Sequence, residues 1–259
     1  MEGGVQMASY KRSAQTKDVI LDTASRLFYE KGYTSATVRE ICAQSNISVS
    51  RINYHFSSKA DLAGVICGQF LHNFIKETVK VLEISRSYPL LVEAIALRFL
   101  IRLMVAGNSP ASRFYLEVAR EGILTEFFPM MERRIFERKV QEICVLENDL
   151  QDAYAEVYAK IYASALSAVI QSWDKVLEQC GGNQEKGLSM LQNIFVGLFM
   201  QMINCRHEIQ QKVLELSEAC YRLMEVEIQG LTQVTIRMPE HLSADIQQEI
   251  LELSGSVNK

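Results

Sequence analysis

The sequence predicts an all-α fold: a three-helix, helix-turn-helix head, a larger helical bundle behind it, and a short strand–helix tail. Three observations predict it. Apolar residues recur at helical spacing through most of the 259 residues, and only four prolines and 13 glycines interrupt them. Residues 37–56 read as two short helices joined by a tight turn, the second polar, basic and aromatic-tipped. Before residue 230 no strand is expected from alternation of polar and apolar residues.

Taken in order, residues 1–12 lack apolar periodicity, end in Lys11-Arg12 and read as a disordered arm. A helix follows from about Thr16 to Lys31, with Ile20, Ala24, Leu27 and Phe28 on one face and Gly32 ending it. Thr37-x-x-Glu40 fits a capping box that opens the second helix. Asn46 tolerates the left-handed conformation that the turn requires. Ser48 is a good N-cap for the third helix, and Ser58-x-x-Asp61 opens a fourth that runs to about Ser85. Pro89 starts a helix that stops at Gly107-Asn108, and Ser109-Pro110 starts one that reaches about Glu121. Further helices are expected from Pro129 to Leu146, Ala153 to Gln179, about 185–203 and 206–229. The tail reads as a strand over Gln233–Met238, stopped by Pro239, and an amphipathic helix over His241–Leu253. These elements group into a head at 1–57, a body at 58–230 and an appendage at 231–259.

Charge separates head from body. Residues 1–60 carry eight cationic and five anionic side chains, a balance of +3 in a chain of net charge −4, which leaves −7 for the remainder. In the head, Ile41, Ile47, Ile52 and Phe56 fit an inward face against Leu27 and Phe28. That leaves Ser48, Val49, Arg51, Asn53, Tyr54 and His55 for an outward one. Their chemistry suits duplex DNA. Arg51 can reach guanine O6 and N7, Asn53 can read adenine and Val49 can touch a thymine methyl. Tyr54, His55 and Lys59 have donors for phosphates, and Arg39 stands where the preceding helix would meet the backbone.

Gly32-Tyr33, Thr37-Val38-Arg39-Glu40-Ile41, Ile47-Ser48 and Asn53-Tyr54-His55-Phe56-x-x-Lys59-x-x-Leu62 resemble the DNA-binding domain of the tetracycline-repressor (TetR) family. The resemblance covers roughly residues 15–65. It departs at Asn46, often glycine in the family, and at Cys42, often alanine. It implies a homodimeric repressor that binds a palindromic operator, with a small-molecule effector pocket in the C-terminal domain and the fourth helix joining pocket to reader. The family's dimer interface would fall on Tyr154–Gln179 and Glu185–Ile203. There Leu188, Leu191, Phe195, Leu198 and Met202 make an apolar stripe, read as the interface in preference to packing inside one protomer. Arg98, Arg102 and Arg113, with Phe114 and Trp173 among other aromatics, lie on helices that would line the family's pocket. Arginine among aromatics suits an aromatic or acyl acid.

Other classes find less support. Six scattered cysteines, none in a C-x-x-C pair, point to reduced thiols. No signal-peptide pattern and no apolar run near membrane-spanning length occurs, so a cytoplasmic location is expected. No Glu-x-x-His pair, H-E-x-x-H, G-x-G-x-x-G or phosphate-binding loop is present, so no enzyme, metal or cofactor is expected. Thr235–Leu242 followed by an amphipathic helix resembles the start of a ribbon-helix-helix reader, but that helix is acidic, and a packing or dimer-strapping role fits it better.

Overall fold

The computed structural model describes residues 2–82, 89–125, 148–202, 205–239, 246 and 248–249. The first helix, α1 (Glu2–Lys31), is much longer than the sequence suggested. Residues 2–12, expected as a disordered arm, continue it. Gln6, Met7, Ala8, Lys11 and Arg12 are good helix formers, no proline occurs before Pro89, and elongation from a nucleated helix is easy. Ile20, Leu21, Ala24, Leu27 and Phe28 bury its apolar face. Gly32 then takes φ 86° while its N–H donates to the Phe28 carbonyl.

The capping box at α2 (Val38–Ser45) is complete: Glu40 N–H donates to Thr37 Oγ1 at 3.2 Å and Thr37 N–H to Glu40 Oε2 at 2.9 Å. Asn46 ends the helix in the left-handed region, with φ 55°. In α3 (Val49–His55), Ser48 occupies the N-cap position with extended backbone. Its hydroxyl pairs with that of Ser50 and makes no cap bond. At α4 (Lys59–Val81), Ser58 accepts from Asp61 N–H at 3.0 Å, and the Asp61 carboxylate reaches back to Ser57 N–H at 2.9 Å.

The body is built around α5 (Pro89–Val105), which packs against α4 and against α6 (Pro110–Arg120). Ser109 caps α6 as expected, accepting from Ser112 N–H. The expected long helix over 153–179 is two: α7 (Asn148–Gln171) and α8 (Trp173–Gln179), parted at Ser172. The first begins at Asn148, ahead of the start at Ala153 that the sequence suggested. Next come α9 (Gln184–Met202) and α10 (His207–Leu223), both packed on α5.

The helix expected over 206–229 stops at Leu223, and the strand expected only after residue 230 has a partner before it. β1 (Glu225–Gln229) and β2 (Gln233–Arg237) form an antiparallel hairpin in register Glu225↔Arg237 to Gln229↔Gln233. Gly230, with φ 65°, sits in the turn. Val226, Ile228, Val234 and Ile236 share the inward face, and β2 lies along α4. The turn is pinned twice: Asn73 Nδ2 of α4 donates to the Thr232 carbonyl at 2.8 Å, and Tyr115 OH of α6 to the Leu231 carbonyl at 2.9 Å. The expected helix at 129–146, most of that at 241–253, and the end of the fourth helix after Leu82 lie outside the described residues.

The apolar stripe of α9 divides between two faces. Leu188, Leu191 and Phe195 are buried within the protomer, so the interface expected from them does not hold for these residues. Among the described residues, Met190 and Ile194 are the large exposed apolar residues of α9, and Val157 and Ile161 those of α7. Burial pushes the thiols of Cys67 on α4 and Cys220 on α10 up to about 12.

Candidate nucleic-acid interface and effector cleft

One side of α3 is fixed in the core by Ile52, 1% exposed, with Phe56 just beyond it at 2%. With that side anchored, helical geometry turns Val49, Ser50, Arg51, Asn53 and Tyr54 outward, and all five are exposed. Tyr54 is 80% exposed. His55 is half-buried, and its ring meets the Tyr54 ring edge-on at 5.1 Å. Ser48 and Arg39 are also exposed, at the start of α3 and near the start of α2. The helix is slim enough to enter a major groove about 12 Å wide. Its outward side offers guanidinium, carboxamide, hydroxyl and methyl groups.

Lys59 points elsewhere. Its Nζ donates to the Tyr33 carbonyl at 2.9 Å and the Ala36 carbonyl at 3.1 Å, and sits 4.2 Å from the centre of the Tyr33 ring. Burial lowers the ammonium pKa, while Glu121 and Glu117 oppose that shift. This lysine ties the first turn of α4 to the loop between α1 and α2.

The same loop meets α6. Arg113 Nη2 donates to the carbonyls of Tyr29 and Glu30, at 3.0 and 2.8 Å, satisfying the end of α1 with a cation where its dipole is negative. Glu117 Oε2 accepts from Thr34 N–H at 2.8 Å, and Phe114 stacks on Phe28 at 5.6 Å. A Cβ at Gly32 would stand 2.7 Å from the Glu117 carboxylate. The joint between head and body is therefore close and polar.

In the body, a cleft of about 810 Å³ opens between α5, α9, α10 and β1. Arg102 on its wall donates from Nη1 to Tyr221 OH at 3.0 Å, a bond that raises the arginine pKa. Phe99 meets the Tyr221 ring at 4.9 Å. Glu218 pairs with Arg222 at 2.6 Å. Burial pushes the Glu218 pKa up, but the Arg222 hydrogen bond and the charges of Arg98 and Arg222 carry it below the usual range. One helical turn before Arg102, Arg98 is fully buried. Its Nε donates to Ser217 Oγ and its Nη2 to the Leu214 carbonyl, each at 3.0 Å, while Nη1 has no hydrogen-bond partner among the described residues. Burial lowers its pKa against the pull of Glu218 and Tyr221. A second cavity, lined in part by Leu71, Leu97, Tyr162 and Phe199, holds only about 10 Å³.

Residues 20–66 match the family described as bacterial regulatory proteins, tetR family. That match takes in α1 from Ile20 onward, α2, α3 and the first turns of α4. Similar relatives include a probable HTH-type transcriptional regulator, YttP, of Bacillus subtilis (34% identical over 61 residues, 24% of this chain and 30% of the relative). Another is the HTH-type negative transcriptional regulator of the biofilm operon icaADBC, IcaR, of Staphylococcus aureus (39% over 62 residues, 23% of this chain and 33% of the relative). The chain spans about a third of the length of these relatives. Among solved structures, RolR in complex with resorcinol is similar at 16% identity and a TM-score of 0.48, covering 79% of this chain and 95% of that one. Full-length TylP of Streptomyces fradiae is similar at 17% and 0.39, covering 83% and 94%.

Of the residues expected to hold DNA, the fold brings Ser48, Val49, Arg51, Asn53, Tyr54 and His55 together at α3, with Arg39 nearby, and turns the Lys59 head group inward. Of those expected to hold a ligand, Arg102 lines the cleft and Arg98 stands behind it. Arg113 and Phe114 belong to the head–body joint. Trp173 is buried against Gly187 and is not among the residues lining the cleft. Gln192, Glu218 and Tyr221 also line the cleft, and nothing local in the sequence marks residues that distant helices bring together.

Proposed function

We propose that the chain is a transcriptional regulator, acting as a repressor, that binds a palindromic operator as a homodimer and leaves it when a small molecule binds the body. Residues 1–57 read DNA, 58–230 sense and dimerise, and 231–259 form an appendage. The observation that carries the reading is the outward face of α3, where Arg51, Asn53 and Tyr54 stand exposed on a helix locked by Ile52. Arg39, Ser48, Val49 and His55 complete the surface. The negative regulator among the relatives supports repression. Val157, Ile161, Met190 and Ile194, exposed on two helices, support burial against a second copy. Arg98 and Arg102 are the effector-binding candidates.

Selection of bound duplexes from a random pool tests the reading. A regulator of this kind enriches a palindrome with half-sites about 34 Å apart, and its affinity falls steeply with salt. No enrichment at low salt overturns it. Sedimentation of the Ile161→Glu/Ile194→Glu double variant tests the dimer: a monomeric, folded variant supports it, and a variant that sediments as the wild-type dimer refutes this interface.

A further inference from the structure

We infer that the cleft between α5, α9, α10 and β1 binds a small organic carboxylate, and that the C-terminal hairpin transmits its occupancy to α4. This rests on the effector reading above and gives it a site, a ligand class and a route.

A volume of about 810 Å³ suits a small-molecule ligand. Charge selects an anion. Arg102, Lys186 and Arg222 line the cleft and Arg98 backs it, against two lining carboxylates, Glu185 and Glu218. Glu218 is already engaged by Arg222. Arg102 hydrogen-bonds a neutral hydroxyl, and Arg98, fully buried, keeps an Nη1 with no partner among the described residues. The two guanidiniums are one turn apart on α5, and each reaches α10, at Ser217 and Tyr221, again one turn apart. A guanidinium forks onto a carboxylate with two parallel donors, so the site is short of this kind of partner. Phe99, Leu188, Met224 and Val226 give the rest of such a molecule an apolar bed.

The route follows from contacts. Val226 of β1 lines the cleft and pairs across the hairpin with Ile236 of β2, which is buried where β2 lies on α4. The hairpin turn is held to α4 by Asn73 and to α6 by Tyr115. At its other end α4 holds the Tyr33 and Ala36 carbonyls of the head through Lys59. A ligand that fits the cleft better with β1 displaced therefore biases α4, by as much as its affinities for the two arrangements differ.

Hydrogen exchange of the full chain with benzoate and octanoate, each against its amide, tests both halves. The carboxylates are expected to slow exchange over 218–229 and to change it over 69–81, and the amides to do neither. Arg102→Gln is expected to weaken carboxylate binding about tenfold to hundredfold. Asn73→Ala is expected to keep the protection at 218–229 and lose the response in α4. If α4 still responds in that variant, the hairpin route is wrong. Protection that appears instead around Leu71 and Tyr162 overturns the cleft assignment and leaves the effector reading standing. No protection by either carboxylate overturns the ligand class. Cleft protection and an α4 response without any change in DNA affinity uphold this inference and overturn the regulator reading.

Discussion

Arg51 and Arg98 are both helical arginines, and the molecule uses them in opposite ways. Arg51 stands on a short surface helix with its guanidinium in solvent. Arg98 lies fully buried on the central helix, bonded to groups on α10 more than a hundred residues away. The head keeps its chemistry outside and its stability in a few apolar anchors. The body keeps its chemistry inside, where the groups that would recognise a ligand also hold the helices together. A change at the reading surface should therefore alter binding alone, and a change beneath the cleft should alter binding and stability together.

That contrast breaks first at Arg98. Arg98→Ala leaves a cavity and removes the donors that tie α5 to the Leu214 carbonyl and Ser217 hydroxyl, which then keep only their bond to each other, so it should destabilise the chain by about 2–4 kcal/mol, read from the urea midpoint. A variant as stable as wild type would show that the buried arginine does not help hold the body. Arg51→Ala is the counterpart. Its operator affinity should fall by about 1–3 kcal/mol with an unchanged urea midpoint, measured by fluorescence anisotropy and denaturation of the same sample. A lowered midpoint would mean that the reading surface also carries stability.

Gly32→Ala probes the joint between the regions. It forces a side chain into positive φ and against Glu117, and a cost of about 1–2 kcal/mol is expected in thermal denaturation, with less if Glu117 can swing aside. Glu40 gives the smallest effect. Hydrogen bonds from Lys31 and Thr37 hold its carboxyl at about 2. A depressed folded pKa adds stability that is fully present above the unfolded value, about 4.3, and fades as pH falls through the folded one. The stability gap between wild type and Glu40→Gln should thus be constant near neutrality and close between about pH 4 and 2. A gap independent of pH would assign the effect to the capping geometry alone.

The two regions also differ in how far their sequence reveals them. The head is written in short-range signals: Thr37 with Glu40, Ser58 with Asp61, Asn46 at the turn, and Ile20 through Phe28 on one helical face. Each needs only its neighbours within a turn or two, so each could be read locally. The body is written in long-range ones. Glu225–Gln229 alternates over only five residues directly after a helix, and what makes it a strand is pairing with β2 and packing of the hairpin on α4. Helix α9 is apolar on two faces. Periodicity found the one that Leu188, Leu191 and Phe195 turn inward, and could not tell it from the one that Met190 and Ile194 leave open. Residues 2–12 offered no apolar face, yet they extend a helix nucleated by their successors. Arg102 was legible as a candidate, while Tyr221 and Glu218 depended on where α10 lands.

The deeply placed thiols of Cys67 and Cys220 have a practical consequence. The thiolate is the reactive form, and with pKa values raised to about 12 almost none exists near neutral pH. Cys42, Cys180 and Cys205 are only half-buried, so an alkylating reagent should modify them first. Cys67 and Cys220 should then react only as fast as α4 and α10 come away from their neighbours. Alkylation kinetics at these two positions would time the breathing of the connecting helix and of the cleft wall without any introduced label.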